Sequence, residues 1–135
     1  MARVFVERRE LPDDLRRLLD AGTAAEYTPP IDVVETDTAI QIVLDLPGVR
    51  ASQIDVVVSG HVLLISGDKI PAACDHADAA FHIAERAFGR FARAVALDGA
   101  FDVSKAVAAL KDGELRVTLP RIVERRGGPI RIPVT

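Results

Sequence analysis

The apolar positions of the chain change period near residue 30. Before that point, Leu11, Leu15, Leu18 and Leu19 are spaced to share one helical face. Pro12-Asp13-Asp14 supplies a proline and two acids where a helix N-terminus favours negative charge. The spacing predicts a short amphipathic helix over 13–20, ended at Ala21-Gly22-Thr23. Helices under ~12–15 residues are marginal alone in water, so this one needs a surface to lie on. Tyr27-Thr28-Pro29-Pro30 reads as a stiff linker.

From Ile31 onward the period is two, in short β-branched runs parted by turn signals every ~8–12 residues, which predicts an all-β sandwich or barrel. Residues 31–35 follow a proline pair and read as an edge strand, since proline cannot donate to a ladder. Ile40, Ile42, Leu44 and Leu46 alternate toward one face and stop at Pro47-Gly48, a pair suited to a type II turn. Runs 54–58 and 62–66, both read as buried, flank Ser59-Gly60-His61 as a hairpin. Runs 105–110 and 114–119 flank Lys111-Asp112-Gly113, whose Asp-Gly is a strong hairpin signal. Residues 70–80 read as a loop, and two further strands are predicted at 81–87 and 90–97, parted at Gly89.

Length and charge then narrow the classes. At 135 residues the chain is below one typical ~150-residue domain. Three parts are expected: an arm over 1–28, a β-sandwich over 29–120 and a tail over 121–135. With 49% apolar and 27% charged residues it can fold. A net charge of -3 provides no basic field for phosphate backbones, so nucleic acid is not an expected partner. The opening apolar stretch is broken by charge at Glu7, unlike a signal peptide, and no run approaches the ~18–20 residues of a membrane span; a cytoplasmic protein without a membrane partner is expected. The single cysteine, Cys74, cannot form an internal disulfide.

Catalytic chemistry finds little to work with. His61, His76 and His82 are the only histidine bases, and there is no Gly-x-Ser-x-Gly elbow or phosphate-binding glycine loop. Cys74, His76 and His82 fall short of the four ligands of a closed zinc site. No enzyme activity, metal or cofactor is expected.

The tail is more informative. In extended Gly127-Gly128-Pro129-Ile130-Arg131-Ile132-Pro133-Val134, the side chains of Ile130, Ile132 and Val134 project together and Arg131 points away. Pro133 holds Ile132 extended, and the glycine pair supplies a hinge. Such a strand fits apolar pockets along a neighbouring sheet edge. Spacing alone equally allows it to be the last strand of its own sandwich.

These residues together resemble the small heat-shock proteins, the family with an α-crystallin domain, in its bacterial and plant branch. The likeness runs from about residue 30 to 134. It is carried by Asp45-Leu46-Pro47-Gly48-Val49, by Ile54-Asp55-Val56-Val57-Val58 with Leu63-Leu64-Ile65-Ser66-Gly67, and by Glu85-Arg86-Ala87-Phe88-Gly89-Arg90-Phe91-Ala92-Arg93. It continues through Ala108-Ala109-Leu110-Lys111-Asp112-Gly113-Glu114-Leu115, similar to the family's Ala-x-x-x-Asn-Gly-Val-Leu signature, and ends in Ile130-Arg131-Ile132.

The resemblance implies an immunoglobulin-like antiparallel β-sandwich with a short helical arm and an extended tail. It also implies a stress-response holdase that keeps unfolding client proteins soluble without ATP, as a homodimer built into higher homo-oligomers. The implied dimer interface comprises Phe81, His82, Ile83, Glu85 and Arg86, as a strand pairing with the partner's first strand, and Arg93, which would need a carboxylate; the other reading of Arg93 is an exposed strand residue. Tails would seat Ile130, Ile132 and Val134 in a neighbour's groove lined by Val56, Val58, Ala106 and Ala108. Clients would meet Phe5, Leu11, Leu15, Leu18 and Leu19 on the arm, unless those leucines only pack on their own sandwich. The chain departs from the family at Asp98, at Glu114 and in its short arm, whose only aromatics are Phe5 and Tyr27. Three competing readings are a non-oligomeric adaptor sandwich, which would lack the two-isoleucine tail, a sandwich binding carbohydrate or another small ligand, for which few rings are available, and an enzyme of unrecognised type.

Overall fold

The computed structural model describes residues 6, 8–20, 26–71 and 77–122, with Arg8, Leu18, Leu19 and Asp20 described by backbone alone. Helix α1 (Asp13–Asp20) occupies the predicted span. Seven strands follow among the described residues: β1 (Ile31–Glu35), β2 (Ala39–Asp45), β3 (Ile54–Ser59), β4 (Val62–Lys69), β5 (Gly89–Ala96), β6 (Val107–Lys111) and β7 (Glu114–Pro120). They form two antiparallel sheets, ordered β1-β2-β7-β6 and β3-β4-β5.

The alternation in β2 builds the core directly. Ile40, Ile42 and Leu44 are buried and stand opposite Leu119, Val117 and Leu115 of β7, buried as well. Leu63 and Ile65 of β4 with Phe91 and Val95 of β5 form the facing layer of the same cluster. Each such side chain contributes roughly 1.5–3 kcal/mol when fully buried. The β6–β7 hairpin closes from Lys111 to Glu114 through Asp112 (φ 52) and Gly113 (φ 78). Positive φ at both central residues is the type I′ geometry that matches strand twist. Strand β1 lies at the edge of its sheet, as the proline pair before it predicts.

Three local expectations are corrected. Lys105 belongs to a one-turn 3-10 helix, Val103–Lys105, whose cap Asp102 accepts a hydrogen bond from the Ser104 N–H (3.1 Å), so β6 starts at Val107. Strand β3 is only half-buried, because it is the edge of its sheet, whereas β4 is buried along Val62–Ile65. Residues 81–87 form no strand: the segment has no ladder partner among the described residues, and Phe81 and Ile83 are 88% and 75% exposed. β-branched and aromatic composition favours an extended chain, but a strand also needs a neighbour to accept and donate its backbone hydrogen bonds.

Candidate functional site

A strap made by the linker orients the two sheets. The N–H groups of Glu26 and Tyr27 donate to the Arg90 carbonyl (2.8 and 3.0 Å), and the Asp45 N–H donates to the Pro30 carbonyl (3.2 Å). The Tyr27 ring meets Phe91 edge-on at 6.2 Å. The strap thus joins the β5 edge to the β1 edge on one side of the sandwich and leaves the edges β3 and β6 together on the other.

On that second side the core is incompletely covered. Val56 and Val58 are paired with Ile65 and Leu63 and face inward, yet remain only partly buried. Across from them, Ala108 pairs with Val117 and shares the inward face of Leu110; it is exposed, as is Ala106 just before the strand. On this side the inward-facing valines of the β3 edge are only partly covered and the small alanines of the β6 edge are exposed. The structure places Val56 and Val58 on the β3 edge and Ala106 and Ala108 at the β6 edge, the two strand edges away from the strap. Ile130, Ile132 and Val134 lie outside the described residues. The root of the tail is described: the Arg121 N–H donates to the Thr38 carbonyl and the Ile122 N–H to the Ala100 carbonyl, both at 2.8 Å. The Arg121 guanidinium also pairs with Glu35 and lies 5.2 Å from the centre of the Phe101 ring.

On the strap side, Phe81, Ile83, Ala84, Glu85, Arg86 and Phe88 with Pro71 line an apolar hollow of about 520 Å³. His82 and Glu85 are exposed. The outer edge of β1 has no strand beside it among the described residues. Arg93 pairs with Ile65 and shares the inner face with Phe91 and Val95, and its Nη1 donates to the Pro29 carbonyl at 3.2 Å. It is half-buried rather than an exposed strand residue, and burial lowers its pKa from the ordinary arginine value.

The arm leucines are where a bare helix would require them. Leu11 and Leu15 are buried, at 5% and 0% exposure, in a second cluster with Val62 and Leu64, flanked by Val6, Val57, Ala92 and Ala94. This is the outer face of the β3-β4-β5 sheet. At its margin the Ser59 hydroxyl donates to Asp14 at 2.6 Å, which lowers the Asp14 pKa. Leu11 and Leu15 are therefore closed to clients while the arm is docked. Phe5 and the side chains of Leu18 and Leu19 lie outside the described residues.

Two features were not read from the sequence. The burial of run 62–66 was expected, but not that α1 supplies the cover on its second face. Lys69 is 7% exposed, with its ammonium 5.6 Å from the Tyr27 ring centre and 5.5 Å from that of Phe88, a cation held against two rings. No local pattern marks it. Among the described residues, no group of three or more His, Cys, Asp or Glu side chains could hold a metal ion, and no helix is long and apolar enough to cross a membrane.

A sandwich of two antiparallel sheets, ordered β1-β2-β7-β6 and β3-β4-β5, with an exposed apolar segment before β5, defines the class: an α-crystallin β-sandwich. The Hsp20/alpha crystallin family matches residues 32–135, and the chain belongs to that family. It is 29% identical over 105 residues to small heat shock protein C4 of Rickettsia felis, covering 78% of this chain and 64% of the relative. It is 37% identical over 103 residues to the 16.9 kDa class I heat shock protein 1 of Oryza sativa, covering 76% and 68%. Among solved structures, a small heat-shock protein from Xylella fastidiosa superposes with a TM-score of 0.71 at 27% identity, over 82% of this chain and 99% of that one. Heat shock protein 16.0 from Schizosaccharomyces pombe gives 0.69 at 29%, over 82% and 100%. The chain spans less than two thirds of the length of several curated relatives, 64% of C4 and 53% of the 21.9 kDa heat shock protein of Oryza sativa.

Proposed function

We propose that this chain is an ATP-independent holdase chaperone that works as a dimer-based homo-oligomer. The observation that carries the reading is that the inward-facing Val56 and Val58 on the β3 edge stay only partly buried and Ala106 and Ala108 at the β6 edge stay exposed, which we read as the two rims of an apolar slot. A strand presenting Ile130 and Ile132, with Val134, matches such a slot in spacing and chemistry, and seating it in a neighbouring copy links subunits. Each isoleucine contributes roughly 1.5–3 kcal/mol before ordering costs, so a single contact is reversible and many together hold an assembly. The dimer forms when 81–86 of one subunit adds to the open β1 edge of its partner. That exchange pairs backbone groups lacking a ladder and covers Phe81 and Ile83, with His82, Glu85, Arg86 and Arg93 around the junction. Warming releases tails and arms. Leu11, Leu15 and the vacated slots then take up partly unfolded chains of many shapes by apolar burial, with nothing hydrolysed.

Two measurements test this reading. The full chain without nucleotide should suppress light scattering from a heat-labile client at near-stoichiometric ratio; no suppression overturns the holdase. Ile130→Ala with Ile132→Ala should reduce the mass in solution to that of a dimer, and an unchanged mass removes the tail from the assembly.

A further inference from the structure

The outer face of the β3-β4-β5 sheet is polar at one end, at Asp55, Ser66, Asp68 and Arg90, and apolar at the other, where an antiparallel sheet of this kind would ordinarily meet water. The rows of the apolar end follow from the register: Val57, Leu64 and Ala94 in one, Ser59, Val62 and Ala96 in the next. Bulk is concentrated on β4 while the neighbouring β5 positions are alanines, which leaves a shallow trough beside Leu64. Leu11 and Leu15, four residues apart, fill it to 5% and 0% exposure, and the acid preceding Leu15 reaches Ser59 at the margin. The resident α1 is eight residues long. So short a helix is marginal by itself, and its release from the face also melts it, so occupancy depends on a few contacts.

We propose that this face is a docking site for amphipathic helices in trans: segments of partly folded proteins that carry two leucines at i and i+4, with an acid just before the second. α1 is its resident occupant and competitor. The resident displays the chemistry the face accepts. A longer helix with the same leucine pair loses less to fraying than α1 and displaces it. In folded proteins such leucine pairs are buried, so the face selects chains that have begun to unfold. The inference deepens the holdase reading and takes its physiological sense from it, while its geometry concerns the sheet beneath the arm, not the slot.

The test uses the full chain and a fluorescent 18-residue amphipathic peptide bearing Asp-Leu with a second leucine four residues earlier. A control peptide of identical composition has its leucines two apart. By anisotropy, Leu11→Ser with Leu15→Ser, which empties the face, should bind the first peptide at least ten-fold more tightly than the unaltered chain does and should discriminate against the control. Methyl NMR of that variant should show peptide-induced shifts at Val57, Val62 and Leu64, with Val56 and Val58 unmoved. Equal affinity of variant and unaltered chain, equal binding of both peptides, or shifts confined to Val56 and Val58 overturns the proposal. Light scattering with a client reads the holdase separately: suppression without peptide binding sinks this inference alone, and peptide binding without suppression sinks the holdase alone.

Discussion

Single side chains decide how firmly the arm is held. Asp14 and Ser59, far apart in sequence, meet at 2.6 Å where α1 crosses the end of β3, and the hydroxyl's hydrogen bond is the leading reason that the Asp14 pKa lies below 3.8. A carboxylate depressed in the docked state favours docking while it is ionised. That contribution is present above the ordinary value and is lost as pH falls through the depressed one. Ser59→Ala removes the donor, so the Asp14 midpoint in a carboxyl-carbon NMR titration should move up toward the ordinary value; an unmoved midpoint would mean that the hydroxyl does not donate in solution. The contact was not legible from the sequence. The acids at 13 and 14 were visible as helix-start residues, but only the crossing of α1 over the sheet selects Asp14 as the one that reaches β3, while Asp13 lies 3.8 Å from Arg16 of its own helix. Lys69 is the same lesson in stronger form: its burial between Tyr27 and Phe88 arises from the strap and the loop converging, which no local period encodes.

At the scale of elements, the strands that pair within the chain were readable, because their hydrophobic period reports the layer they face. Ile40, Ile42 and Leu44 alternate since one side meets the core, and Val62–Ile65 runs unbroken since both sides are covered. The segment 81–87 has the composition of a strand and no ladder among the described residues, so its reading failed on partnership, not propensity. The β6–β7 hairpin carries the most consequential register, for a slip of one residue would turn Ala108 outward and place Val107 or Ala109 at the rim of the slot. Its turn holds that register. Gly113 sits at φ 78, and a Cβ there would lie 3.2 Å from the Pro47 Cα, so Gly113→Val combines left-handed strain with a tight contact. Strain of this kind costs about 1–2 kcal/mol. The variant should show that loss in its denaturant midpoint, and slot-dependent assembly should weaken with it; a midpoint matching the unaltered chain would mean that the turn relaxes without cost.

For the whole molecule, the two proposed kinds of association fall on different sides of the sandwich. The strap of Tyr27 to Pro30 runs along the β5–β1 side, with the β1 edge and the 81–88 hollow beside it, and the proposed slot lies on the β3–β6 side. Arg121, fixed to Glu35, Phe101 and the Thr38 carbonyl, anchors the root of the tail at the β1–β2 end of the domain. Because slot and strand edge lie on opposite sides, filling one should leave the other intact. Ala108→Phe places a ring in the slot at an exposed position, where a substitution away from the core typically changes stability by under about 0.5 kcal/mol. Light scattering coupled to size exclusion should then show dimers in place of higher oligomers. If tail and slot are the two halves of one contact, combining Ala108→Phe with Ile130→Ala and Ile132→Ala should lower the mass no further than either change alone, whereas independent contributions would add. A single variant that also dissolved the dimer would contradict the separation of the two sides. Additive loss would move the tail's receptor away from Val56, Val58, Ala106 and Ala108, and the open rim of alanines would then need another occupant.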